Sequence, residues 1–335
     1  MSQNGGYRAV IPAVPAEVQR PIWSVMIPTY NCAYYLPMTL NSVLAQDPGE
    51  HAMQIEVIDD HSTHDDPAAV VAELGHGRVA FYQQPHNVGH CANFNTGLER
   101  SSGHLIHLFH GDDAVRAGFY GKMQALFANN KSIGAAFCRY ISVDERGNWL
   151  TISPLEKSES GVLPGWLDRI ATGQRLQPPC MVVRRHVYEQ VGGFDGRITA
   201  YGEDWEMWVR IAARYPVWYE VEPLALYRIH PSSLSNGSIR TGSNGRDMRL
   251  VVMINKASLP VERAEALTYD ARKNFALGCL RRAHRLLDTG NSAAMFAQVR
   301  EAMKTNLSLS VVARAVFLSL RWAAQGIEAI LRQKH

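Results

Sequence analysis

Two successive aspartates, Asp112 and Asp113, follow the apolar run Leu105-Ile106-His107-Leu108-Phe109 after a His110-Gly111 step. The run reads as a buried parallel strand, which delivers both carboxylates to its C-terminal end, where open α/β sheets bind ligands. Adjacent acids repel one another unless a cation lies between them, and a divalent ion on a diphosphate is the usual reason for such a pair. A turn that merely caps the next helix explains the same dipeptide taken alone.

Other chemically equipped segments also fall at strand ends. Pro28-Thr29-Tyr30-Asn31 leaves the first strand: Pro28 is expected to stop the ladder, Tyr30 to offer a stacking face and Asn31 to offer amide hydrogen bonds. A second strand ends in Asp59-Asp60-His61-Ser62, where an aspartate can accept from a base N–H or a ribose hydroxyl. Asn87-Val88-Gly89 leads into a helix whose first turns carry Asn93 and Asn95, amides suited to bracketing a nucleoside. Tyr227-Arg228-Ile229-His230 ends the last strand with a cation and an imidazole suited to a diphosphate or its metal. Gly202-Glu203-Asp204-Trp205 opens a helix with acids, a placement the helix dipole favours in any protein.

The elements that must position these groups alternate. Short apolar runs at Trp23–Pro28, Gln54–Ile58, Val79–Gln83, Leu105–Phe109 and Ala135–Ile141 are separated by helical patterns at Tyr34–Gln46, Pro67–Leu74, His90–Arg100 and Phe119–Asn129. That order predicts a doubly wound, mostly parallel sheet with right-handed crossovers. Glu145-Arg146-Gly147-Asn148 reads as a hairpin turn, so the sheet is expected to become mixed there. Cys180–Val183 and Leu224–Ile229 read as later strands, Asp204–Arg214 as an amphipathic helix, and everything from Arg246 as helix. The predicted division is an N-terminal arm over 1–21, an α/β domain over 22–245 and a helical region over 246–335.

With 335 residues, 46% hydrophobic and 19% charged, the chain is long enough for a sizeable core and is not of disordered type. Its net charge of +3 hides an asymmetry: residues 1–245 carry 19 Lys+Arg against 24 Asp+Glu, and 246–335 carry 15 against 7. The basic part has no aromatic-interleaved module for nucleic acid, so an anionic membrane surface is the better match. On a wheel, Leu307–Leu331 gathers Ser310, Arg314, Arg321, Gln325, Glu328 and Arg332 on one stripe and is otherwise apolar, as for a helix packed on several sides or lying in a membrane interface. Five scattered cysteines fit reduced thiols of a cytoplasmic protein, and no leader peptide is expected. No apolar stretch reaches the ~18 residues of a spanning helix.

The order of these segments, together with Gly192-Gly193-Phe194-Asp195, resembles the family 2 glycosyltransferases of GT-A fold over about residues 22–236. The resemblance implies an α/β GT-A domain with a C-terminal helical extension and inverting transfer from a nucleotide diphosphate sugar to a hydroxyl. It implies that Pro28, Tyr30, Asn31, Asp60, Asn93, Asp112 and Arg228 bind the donor, and that Asp112, Asp113 and His230 hold Mn²⁺ or Mg²⁺. Asp204 is then the general base, with Glu203 and Trp205 at the acceptor. His110 replaces the first acid of the family's usual Asp-x-Asp-Asp; an imidazole can ligate Mn²⁺, whereas Mg²⁺ prefers oxygen. The implied setting is bacterial surface-polysaccharide synthesis at the inner face of the membrane, with a glycan or lipid-linked acceptor. A mobile loop closing over the donor is expected at Ser232–Arg246. Sugar nucleotidyltransfer is disfavoured because Met26–Leu36 contains no glycine and no basic residue to hold a triphosphate. A non-catalytic nucleotide-sugar scaffold is the remaining alternative, and His110 is its main support.

Overall fold

The computed structural model of the chain describes residues 6–332, with side chains as far as Gln325; Glu328 and Arg332 of the expected polar stripe lie outside the described side chains. The first strands and helices alternate as β1 (Trp23–Thr29), α1 (Leu36–Leu44), β2 (Met53–Asp59), α2 (Pro67–Gly75), β3 (Ala80–Gln83), α3 (His90–Arg100) and β4 (Leu105–Leu108). After β5 (Ala114–Val115) and α4 (Phe119–Asn129) come the hairpin strands β6 (Ala135–Val143) and β7 (Trp149–Ile152), then β8 (Gly161–Val162) and α5 (Trp166–Ala171). Next are β9 (Met181–Arg184), α6 (Arg185–Val191), α7 (Glu203–Ala212) and β10 (Val217–Arg228). The rest is helical: α8 (Leu234–Thr241), α9 (Ser243–Lys256), α10 (Val261–Asp288), α11 (Ser292–Thr305) and α12 (Leu309–Arg332).

The strands form one mixed sheet in the order β3-β2-β1-β4-β9-β6-β10-β5, with β7 on β6 and β8 on β10. Its first four strands are parallel. β9 then runs antiparallel to β4 and β6, while β10 returns parallel to β6. All seven residues of β1 are buried, as a central strand covered on both faces requires. The chain steps outward from β1 to β3 and then crosses back to β4 on the other side of β1. Right-handed crossovers therefore put α3 on the face opposite α1 and α2, and a crevice opens beyond the C-terminal ends of β1 and β4.

The contacts divide the chain into two units. One holds the chain up to Trp166 with Arg175–Thr199 and Arg210–His230; the other holds Leu167–Gln174, Ala200–Val209 and the chain from Pro231 onward. This second unit starts earlier than the expected 246, and two short segments from within the expected catalytic stretch join it. Ala200 donates to Asp247 and Tyr201 accepts from Arg282, which explains that membership.

Several local expectations change. Residues 7–11 of the arm are tied down: Gly193 and Gly196 donate to the Ala9 and Tyr7 carbonyls, Arg8 bridges Asp195, and Ile11 is buried. The last strand begins seven residues before Leu224, disguised by Glu220, Glu222 and Pro223; Pro223 is tolerated because the β6 register shifts on either side of it. Ser232–Arg246 is not an irregular loop. Ser233 caps α8 by accepting from Asn236 N, and Gly242, at φ +83°, turns the chain directly into α9. Serine and glycine there are helix punctuation, which composition alone cannot distinguish from a loop.

Candidate active site

β1 ends at the crevice with its two edges treated differently. Pro28 lacks an N–H on the β4 side, where pairing stops at Met26↔Leu108 and only Gly111 N reaches Pro28 O, at 3.1 Å. On the β2 side the ladder continues through Thr29↔Asp59, and Asp60 N donates to Thr29 O. Pro28 thus frees one edge of the strand and does not end it. The chain then turns at Asn31, whose φ is +49°. Asn31 Oδ1 accepts from Thr63 N and His64 N, so this side chain clamps the loop after β2, while Tyr30 remains half exposed at the rim.

Asp59 and Asp60 diverge at the end of β2. Asp59 accepts from Thr29 Oγ1, Ser62 N, Ser62 Oγ and Gln83 Nε2, and is fully buried. Asp60 accepts from Val88 N at 2.7 Å and Gly89 N at 3.0 Å, immediately before α3, where a carboxylate also meets the positive end of the helix dipole. Burial pushes the Asp60 carboxyl up, and those two N–H donors pull it partly back. Asn93 donates to Ile58 O and accepts from Gln84, and Asn95 exchanges bonds with the Phe194 backbone. Both amides tie α3 to its surroundings.

The loop after β4 is pressed against β1. A Cβ on Gly111 would stand 2.6 Å from Thr29 Cγ2, so the approach requires glycine. Thr39 of α1, fully buried, places Oγ1 2.9 Å from Gly111 O and 2.6 Å from Asp113 O. Beyond the aspartates, β5 pairs antiparallel with β10, which brings Arg228 and His230 to the loop. Arg228 N donates to Asp113 Oδ1, and its guanidinium reaches the carbonyls of Asp112, Asp144 and Glu145 while lying over the Tyr35 ring. The structure therefore corrects the expected role of Arg228: its donors hold the acidic loop and the β6–β7 turn in place. His230 Nε2 lies 2.9 Å from Asp112 Oδ2, so this imidazole acts on a carboxylate of the pair.

His110, Asp112 and Asp113 each offer a ligand atom, all within 4.8 Å of one another. Asp113 Oδ2 is buried and has no hydrogen-bond partner among the described residues; the His110 Nδ1 atom, at 3.9 Å, is too far to serve. Burial and the neighbouring Asp112 charge raise the Asp113 carboxyl well above the usual carboxylate range. For Asp112, burial acts upward too, but the His230 hydrogen bond and the charges of His110 and His230 hold it below that range. A buried orphan oxygen, a second carboxylate and an imidazole fit a divalent cation, and the nitrogen in the set favours Mn²⁺ over Mg²⁺.

In the helical unit, Asp204 lies in the first turn of α7 and is buried; Oδ1 accepts from Trp205 N at 2.7 Å and Oδ2 from Gln174 Nε2. Gly202, at φ +95°, turns the chain into this helix. Glu203 is half-buried. Trp205 is fully buried and donates from its indole to Ile170 O, so it is a core residue with no face for an acceptor. Sequence reasoning missed Thr39, Tyr35 and Gln174. Thr39 left a signal: it is the polar residue in the apolar stripe Leu36, Leu40 and Val43.

A family model described as "Glycosyl transferase family 2" matches residues 24–192. An uncharacterised glycosyltransferase of Mycoplasma pneumoniae is 29% identical over 128 residues, covering 37% of this chain; the chain spans only 42% of that relative. Among solved structures, S. aureus TarS 1-349 in complex with UDP superposes with a TM-score of 0.59 at 14% identity, covering 93% of this chain and 92% of TarS. The mannosyltransferase PcManGT from Pyrobaculum calidifontis, in complex with GDP-Man and Mn²⁺, gives 0.52 at 16% identity, covering 94% and 83%.

Proposed function

Because the chain belongs to glycosyl transferase family 2 and has the GT-A fold, we propose that it is an inverting glycosyltransferase. It moves a sugar from a nucleoside diphosphate to a hydroxyl of a glycan or lipid-linked acceptor, in surface-polysaccharide synthesis at the cytoplasmic membrane face. The observation that carries this reading is the His110–Asp112–Asp113 cluster, with its orphaned buried oxygen, at the point where the sheet reverses direction. Family membership sets aside nucleotidyltransfer. It also makes the scaffold reading unnecessary. Structural relatives bound to UDP or to GDP-Man with Mn²⁺ support a nucleotide-sugar donor and a divalent cation here.

The chemistry follows from the residues. Inversion is a single displacement: the acceptor oxygen bonds to the anomeric carbon, its proton passes to a carboxylate, and the nucleoside diphosphate departs with the electron pair. Asp204 is the proposed proton acceptor, supported by the Glu203-Asp204-Trp205 motif; Gln174 and the Trp205 N–H orient its two oxygens. His110, Asp112 and Asp113 would hold Mn²⁺, which when bound supplies Lewis-acid neutralisation of the leaving diphosphate. Tyr30, exposed at the end of β1, offers a stacking face for the base. Asp60, Asn31 and Asn93 shape that region through the loops they brace.

A thermal-shift series of UDP and GDP, each with and without Mn²⁺, tests the donor assignment. Mass action predicts a melting-temperature rise with one of the two nucleotides that grows when Mn²⁺ is present. A protein indifferent to both would sink the donor site. For the base, Asp204→Asn is expected to keep nucleotide affinity and lose transfer by at least ~10². Unchanged turnover would remove Asp204 from the mechanism.

A further inference from the structure

Helix α12 carries two apolar faces, and among the described residues only one of them is packed. Val311, Ala315 and Leu318 are buried in packing with α10 and α11. The opposite side of the same helix presents Leu309 (85% exposed), Val316 (52%), Phe317 (56%) and Leu320 (65%) to solvent. At 100° per residue these four fall within one quarter to one third of the helix circumference, with Ala313 and Ala324 among them. Arg314 borders this stripe, exposed, and Arg321 follows on the same border, where it pairs with Asp288 of α10. Arg281 and Arg285 of α10 are exposed as well. Isolated surface leucines need no explanation, but an ordered stripe with a Phe at its centre and arginines along one edge does.

We propose that this face of α12 lies flat in the headgroup region of an anionic lipid bilayer. Charge selects that occupant over a second copy of the chain. Residues 246–335 carry 15 Lys+Arg against 7 Asp+Glu, so two such regions repel each other, whereas anionic lipid attracts each one. The helix docks and does not cross: among the described residues no helix is long and apolar enough to span a membrane. Apolar side chains enter the acyl boundary, and the flanking arginine stays at headgroup level. The inference goes beyond the proposed transfer reaction and does not depend on it, because binding to lipid is read without turnover.

The experiment is co-sedimentation of the full-length protein with vesicles of phosphatidylcholine alone and of phosphatidylcholine with about one quarter phosphatidylglycerol. Binding is expected to the anionic vesicles, to be weak on the neutral ones and to fall as salt rises. A Phe317→Ser/Leu320→Ser double variant, changed only at exposed positions, is expected to bind at least tenfold less while keeping its melting temperature. Arg314→Glu, which removes one cation and adds an anion, is expected to bind about 25-fold less, at about fivefold for each of the two charges near the surface. Equal binding of wild type and double variant overturns the proposal, as does failure of the wild type to bind anionic vesicles. Equal binding to both vesicle types overturns the charge argument. Concentration-dependent dimerisation lost in the double variant, without lipid binding, assigns the face to a second copy.

Discussion

An Asp-Asp dipeptide ends each of the two strands that flank β1, and the two pairs have opposite fates. Asp59 and Asp60 after β2 are saturated: six donors, from backbone, serine, threonine and glutamine, meet their four oxygens. Asp112 and Asp113 after β4 are held by their backbones and by Arg228 and Thr39, while one buried carboxylate oxygen has no donor among the described residues. The first pair holds loops, and the second has the donor set proposed above for a cation. A carboxylate's role at a strand end is set by how many N–H and O–H groups the surrounding loops direct at it.

The largest expected effect concerns the strand beneath the second pair. His107 of β4 is fully buried between Tyr120 Oη and Pro179 O, each 3.1 Å away, and burial pushes its imidazole down to about 3. Because its folded value lies below the unfolded one, the unfolded chain binds the extra proton. Stability is therefore complete above about pH 6.5 and lost as pH falls toward 3. The full loss is of the order of 4–5 kcal/mol, with about 2 kcal/mol gone by pH 5. Urea melts across that range check it; an unchanged slope in His107→Gln would assign the acid sensitivity to other groups.

The two pairs should then separate under mutation. Asp113→Asn is expected to lower transfer by ~10²–10³ through loss of a cation ligand, yet to raise the melting temperature in EDTA, because it relieves the cost of burying a carboxylate beside Asp112 with one oxygen lacking a donor among the described residues. A drop in melting temperature would mean that Asp113 is structural like Asp59. Asp59→Asn should do the reverse. Its new NH₂ faces existing donors, which costs about 2–3 kcal/mol of stability in a urea melt and leaves the chemical step of the surviving folded enzyme nearly unchanged. The smallest expected effect is Thr39→Val, which removes the hydroxyl between the Gly111 and Asp113 carbonyls for about 1 kcal/mol and loosens the loop. Its signature is a several-fold rise in the Mn²⁺ concentration needed for half-maximal activity; unaltered Mn²⁺ dependence would leave Thr39 as packing only.

Much of the α/β framework was legible because periodicity and strand ends are local properties. α3 at His90–Arg100 and α4 at Phe119–Asn129 match their apolar spacing to the residue, and the Asp144–Asn148 hairpin follows from its turn chemistry. What stayed hidden depends on distant partners. The two-residue strand β5 exists only through β10, and the first half of β10 is tolerated as strand only because β6 accepts its bulge. Residue types also misled where they suit two roles. Asn93 and Asn95 are equally good nucleoside contacts and loop braces, Arg228 equally good for phosphates and for carbonyls, and Trp205 for a sugar face and for a core.

By itself the amino-acid order determined that parallel strands would present acids at their C-terminal ends and that a basic, amphipathic helical region would follow. Both are encoded in spacings of two and of three to four residues, which need no knowledge of the remainder. Only the tertiary structure decided which acids are available. Availability is the difference between a carboxylate's capacity and the donors that fold around it, and those donors come from Ser62, Val88, Arg228 and Thr39, each far from the group it serves or turned toward it by a loop.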